Sequence, residues 1–97
     1  MYNKLLNKVQ EELIESTTVE FDNGTQWVLD FFLQFLDNET GIYGVKICMS
    51  TLDGVLMESD ETFVSESKEE ALAMLTAFAE GKVLPMSLLY VVDDWDY

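Results

Sequence analysis

Trp27-Val28-Leu29-Asp30-Phe31-Phe32-Leu33-Gln34-Phe35-Leu36 is the most hydrophobic stretch of the chain, and its reading decides the fold. Two templates fit it. As a strand, alternation puts Trp27, Leu29, Phe31, Leu33 and Phe35 on one face and Val28, Asp30, Phe32, Gln34 and Leu36 on the other. As a helix, Asp30 and Gln34 share a polar stripe at i and i+4. Aromatic and branched side chains favour the strand. Turn signals bracket it, with Asn23-Gly24 before and Asp37-Asn38-Glu39-Thr40-Gly41 after. We read a central strand.

The next stretch fits that reading. With Asp37–Gly41 as a five-residue hairpin loop, Leu36 pairs with Ile42. Phe35 then faces Tyr43, Leu33 faces Val45, Phe31 faces Ile47 and Leu29 faces Met49, apolar on apolar. On the other face Gln34 meets Gly44, Phe32 meets Lys46 and Asp30 meets Cys48. A slip of one residue would mix the two sets, so the register is strongly specified.

Outward from this hairpin, Ser16–Asp22 carries Val19 and Phe21 in alternation and reads as a short first strand. A three-residue loop with a glycine bulge at Asn23-Gly24 is expected to set Phe21 opposite Trp27 and Val19 opposite Leu29. Ile42–Leu52 is the third strand, Asp53-Gly54 a tight turn, and Val55–Thr62 a fourth strand. Its Glu58, Asp60 and Glu61 suit an edge, where charge discourages pairing with another sheet. Tyr2–Glu15 reads as a helix, because Leu5, Val9 and Leu13 repeat at i, i+4 and i+8. Its lysines come early and its glutamates late, against the macrodipole, so it must lean on packing.

Ser67-Lys68-Glu69-Glu70 is a capping box. Ala71, Leu72, Leu75, Phe78 and Ala79 follow as an inward stripe, and Gly81 is expected to close the helix at C′. Pro85 pre-sets a second, shorter helix with Leu88, Leu89, Val92 and Trp95 as its apolar face. The expected fold is α+β. It is an antiparallel four-stranded meander sheet with two C-terminal helices on one face and an N-terminal helix, all in a single domain over residues 1–97.

The chain has 97 residues, so about 60–65% of the unfolded surface should be buried, enough for one modest core. Nineteen acidic residues stand against five lysines and no arginine, for a net charge of −14. Repulsion from phosphates argues against direct nucleic-acid binding and against an anionic membrane surface. The polar-interrupted start reads as no signal peptide, and no apolar run approaches a membrane span. The lone Cys48 cannot form an intrachain disulfide. A cytoplasmic protein is expected.

Chemistry is sparse. Without histidine there is no Ser-His-Asp or Cys-His nucleophile, and one cysteine builds no zinc or iron–sulfur site. No phosphate-cradling glycine motif is present. Asp30, flanked by apolar residues within the most hydrophobic stretch, is the one carboxylate considered as a general acid or base. Its bland reading is a solvent-facing strand residue, and the bland reading of Asp93, Asp94 and Asp96 is a solvated tail rather than a cation site. No enzyme activity, cofactor or metal is expected. Trp95 reads as a core residue finishing a helix, or with Tyr97 as part of a partner epitope.

The tail from Glu66 to Tyr97, ESKEEALAMLTAFAEGKVLPMSLLYVVDDWDY, resembles a family of short uncharacterised proteins from clostridia and their relatives. The matching residues are Ser67, Glu70, Val83, Pro85, Leu88, Val91, Val92, Asp94 and Trp95. The resemblance covers roughly the last third of the chain and departs from the family at Met86-Ser87 and in the apolar second strand. It implies a hairpin sheet, a helix and a proline-started segment in a domain of unknown function, and it supplies no catalytic residues.

Two functions remain open. One is a non-catalytic protein-interaction module, with Phe32, Leu36, Ile42, Asp93, Asp94, Trp95 and Tyr97 as candidate partner surface. The other is an acidic nucleic-acid mimic of the phage or mobile-element type, blocking a nucleic-acid-binding enzyme. The mixed sheet face, with Val28, Phe32, Leu36 and Ile42 among Asp30, Gln34 and Lys46, needs a cover. Either the N-terminal helix crosses it through Leu5, Val9 and Leu13, or it meets its own copy in a homodimer with Asp30 and Lys46 as complementary charges. The dimer is favoured.

Overall fold

The computed structural model describes residues 9–36 and 41–95. They form β1 (Val9–Glu20), β2 (Gln26–Leu36), β3 (Tyr43–Thr51) and β4 (Leu56–Ser65), then α1 (Lys68–Glu80), a 3-10 turn (Pro85–Ser87) and α2 (Leu88–Asp93). The strands make one antiparallel sheet in the order β1-β2-β3-β4. The hydrophobic stretch is therefore an interior strand.

Its pairing with β3 is the one the side chains dictate: Phe35 opposite Tyr43, Leu33 opposite Val45, Phe31 opposite Ile47 and Leu29 opposite Met49. Leu29, Phe31, Leu33, Val45 and Ile47 are fully buried beneath Ala71, Met74, Leu75, Phe78 and Leu88 of the helical layer. The Phe35 and Tyr43 rings lie 6.5 Å apart at the margin of this core.

The expected N-terminal helix is absent from the described residues. Residues 9–15, assigned to it, belong to β1, which pairs with β2 along its whole length. The remainder of that expectation, residues 1–8, lies outside the described residues. Val9 and Leu13 are four positions apart, a spacing that returns to one face of a helix but also to one face of a strand. A bulge at Leu13/Glu15 completes the ambiguity. Alternation sends Leu13 to one face and Ile14 to the core, and the bulge sets Ile14 and Glu15 together against Phe31, which changes the phase of the strand there.

The β1–β2 turn has the expected form with a different register. Phe21 accepts from Gly24 N–H at 2.8 Å and donates to Thr25 O at 2.9 Å, with Gly24 at φ 83°, a three-residue loop closed by a glycine bulge. This puts Val19 opposite Trp27 and Thr17 opposite Leu29, not Phe21 and Val19. The error is two residues, so every side chain keeps its face. Phe21 meets Trp27 diagonally, with ring centroids 6.1 Å apart. Thr51-Leu52-Asp53-Gly54-Val55 repeats the same turn, with Gly54 at φ 93°.

Ser67 caps α1, its hydroxyl accepting from Glu70 N–H at 3.2 Å. The return contact of the capping box runs through Ser65. Its hydroxyl accepts from Ser67 N–H at 2.9 Å and donates to the Glu70 carboxylate at 2.5 Å. At the other end the left-handed residue is Lys82, at φ 53°, while Gly81 stays right-handed. Val83 N–H bonds Phe78 O at 3.0 Å and Lys82 N–H bonds Ala79 O at 3.1 Å. Closing one residue earlier would bring Lys82 instead of Val83 against the core.

After Pro85 the 3-10 turn rotates the start of α2. Leu88 is buried and Val91, Val92 and Trp95 pack on the core, but Leu89, expected inside, is 53% exposed. Trp95 meets Phe78 edge to face, centroids 5.9 Å apart at 87°. The helical layer thus covers one sheet face.

Candidate functional site

Among the described residues nothing covers the other face, and its middle is a polar cluster built by register. Gln34 is only 3% exposed. Its Nε2 donates to Glu11 Oε2 at 3.0 Å, on the adjacent strand, and to Glu61 Oε1 at 2.6 Å, two strands away. The strand between carries Gly44 opposite Gln34, so no side chain blocks the reach. A Cβ on Gly44 would stand 2.8 Å from the Thr62 carbonyl oxygen and 3.0 Å from Phe63 Cδ1. The Phe63 ring therefore lies against the glycine. Both hydrogens of one amide nitrogen tie β2 to the two edge strands.

Lys46 completes the cluster. Its Nζ is 2.8 Å from Glu11 Oε2 and 5.8 Å from the centre of the Phe32 ring. The Lys46 hydrogen bond holds the Glu11 carboxyl below the usual carboxylate range, against the opposing effect of burial. The same bond raises the lysine. Asp30 stands opposite Cys48, as expected, and accepts a hydrogen bond from the Ser16 hydroxyl on the adjacent strand. Burial pushes the Cys48 thiol up, with Lys46 pulling the other way. A raised thiol is a weak nucleophile at neutral pH.

Around this cluster the face is apolar and uncovered. Leu13 is 52% exposed and Phe63 46%, and Val28 and Phe32 are half-buried. Val9 and Leu56 extend the surface toward opposite corners.

The sequence-derived partner surface is thereby divided. Phe32 stands at the centre of the open face, and Ile42 is half-buried at the entrance to β3. Leu36 closes β2, paired with Val9. Asp93 and Asp94 are exposed at the end of α2, in the helical layer, and Trp95 beside them is spent on Phe78. Tyr97 lies outside the described residues. Leu13, Gln34, Gly44, Glu61 and Phe63 were not among the expected partner-surface residues. The pairing of Gln34 with Gly44 was legible, and it is the signal that a long polar side chain could cross the sheet there.

An open depression of about 450 Å³ lies at the β1–β2 turn, lined by Glu20, Phe21, Asp22 and Asn23, with no convergent acid and base. Among the described residues, no three histidine, cysteine, aspartate or glutamate side chains are grouped to hold a metal ion. No helix among them is long and apolar enough to cross a membrane.

Residues 10–96 match a family of unknown function, DUF6514. The chain belongs to that family. The match includes β2, β3, β4, both helices and all of β1 except Val9, so it spans the meander and its helical layer. No curated protein and no solved structure matches the chain.

Proposed function

We propose that this DUF6514 protein is a non-catalytic protein-interaction module and that the open sheet face is its docking surface. The observation that carries the reading is the apolar surface of Leu13, Phe32 and Phe63, left uncovered among the described residues, around a buried Gln34 whose Nε2 is tied to both edge strands. A solvated sheet face has no need of it. Exposed apolar side chains gathered on one face are typical of surfaces that bind. The likeness of the tail to short clostridial proteins supports a bacterial origin. The unpaired Cys48 with its raised thiol suits a reducing cytoplasm.

The net charge of −14 favours a second reading, an acidic mimic of nucleic acid bound by a basic enzyme. One capture experiment separates them. The tagged protein and its Leu13→Ser/Phe63→Ser variant are incubated with lysate and retained proteins are identified by mass. A partner lost with the variant supports the module. Nucleic-acid enzymes held equally by both proteins and released by salt or competing DNA support the mimic and contradict the module. A homodimer through the same face is tested by sedimentation of the wild type and Phe32→Glu.

A further inference from the structure

We infer that the occupant of the open face is a cationic amphipathic helix of a partner protein. The inference rests on the module reading and names the chemistry of its partner. Two features point to it.

The first is charge. Among the described residues, the face presents the carboxylates of Glu11, Asp30 and Glu61 against the ammonium of Lys46. Lys46 is committed to Glu11, while Glu61 and Asp30 are held by the neutral donors Gln34 and Ser16. Glu11 and Glu61 lie on the two edge strands, beside Leu13 and Phe63, so a partner that fits brings cations on both sides of an apolar stripe. The whole chain, at −14, attracts such a partner at long range and repels a second copy of itself.

The second is backbone. β2 and β3 are interior strands, and their N–H and C=O groups are already paired on both sides. An extended peptide laid on the face would find side chains only and leave its own backbone unpaired. A helix satisfies its backbone internally and needs only a stripe of contact. Helices already solve this problem on the opposite face, where α1 lies across Phe31 and Leu33. The polar cluster at Gln34 also fixes the rotamers of Glu11 and Glu61 before a partner arrives, which reduces the ordering needed on binding.

The test uses the full chain and a synthetic peptide of about 18 residues, roughly the length that crosses such a sheet. Leucines occupy i, i+3, i+4 and i+7, and lysines fill the remaining face. Binding is read by fluorescence anisotropy at physiological salt. Two controls accompany it: a shuffled peptide of the same composition, and one with glutamate for lysine. The cationic amphipathic peptide should bind at least tenfold tighter than either. Leu13→Ser/Phe63→Ser should weaken it at least tenfold, and both side chains are exposed enough for the core to survive their loss. Asp30→Asn/Glu61→Gln should weaken it and flatten its salt dependence. Leu89→Ser/Tyr90→Ser, on the helical layer, should leave it unchanged. Equal binding of the shuffled peptide, or weakening by the Leu89/Tyr90 pair, overturns the inference. So does a wild-type dimer that Leu13→Ser/Phe63→Ser makes monomeric, which assigns the face to a second copy. Peptides that fail to bind while a lysate partner is lost with Leu13→Ser/Phe63→Ser overturn the cationic helix and leave the module standing. If the lysate partner is also indifferent to that variant, both fall.

Discussion

Lys82 stores strain that a single substitution can release. Its φ of 53° belongs to glycine or asparagine, and a residue with a Cβ pays about 1 kcal/mol there. Lys82→Gly should therefore stabilise the protein by up to about 1 kcal/mol in urea denaturation; a loss of stability would mean that the lysine side chain contributes more than its backbone costs. Gly44 is the opposite case. Gly44→Ala forces a methyl to within 2.8 Å of a carbonyl oxygen and against Phe63, and should cost about 1–3 kcal/mol. The Glu11–Lys46 pair sets a pH signature. Glu11 is lowered on folding, so its contribution is present above its ordinary value near 4.5 and is lost as the pH falls through the folded value. Lys46, raised on folding, contributes below 10.5 and loses that contribution as the pH rises through its folded value. Wild type and Lys46→Gln should differ by about 0.2–1 kcal/mol at neutral pH and converge in acid, measured by denaturation at a series of pH values.

Among the elements, α1 is bounded by its own caps. Ser67→Ala removes the hydroxyl that receives Glu70 N–H and should cost about 1 kcal/mol in thermal unfolding. The β2–β3 hairpin and α1 were legible because each carries redundant signals: alternation, turn residues and matched faces in one, a cap and an apolar stripe in the other. β1 was not legible before Ser16. Val9 and Leu13 satisfy both periods, and only the misplaced charges of Lys4, Lys8, Glu11, Glu12 and Glu15 argued against a helix. The inward turn of Met74 and the outward turn of Leu89 depend on how the helices dock, which no local pattern specifies. The candidate site was half legible. Phe32 follows from alternation, but Leu13 and Phe63 reach the open face only through β1 pairing and a shift in the β3–β4 register that the chain does not advertise.

At the scale of the whole molecule, the sheet is covered on one side and charged throughout. A net charge of −14 makes the folded state self-repelling, so the melting temperature should rise between dilute buffer and moderate salt. A flat response would mean that the carboxylates are already neutralised. The central claim is that the two faces differ in kind: one is core, the other is surface held ready for a partner. Phe31 and Phe32 are neighbours in sequence and point to opposite faces, the first fully buried and the second half-buried over Lys46. Urea denaturation of Phe31→Ala and Phe32→Ala therefore compares the faces directly. Phe31→Ala should lose about 3–5 kcal/mol, and Phe32→Ala about 1 kcal/mol or less. Equal losses at the two positions would contradict the account, because they would make the open face a second core.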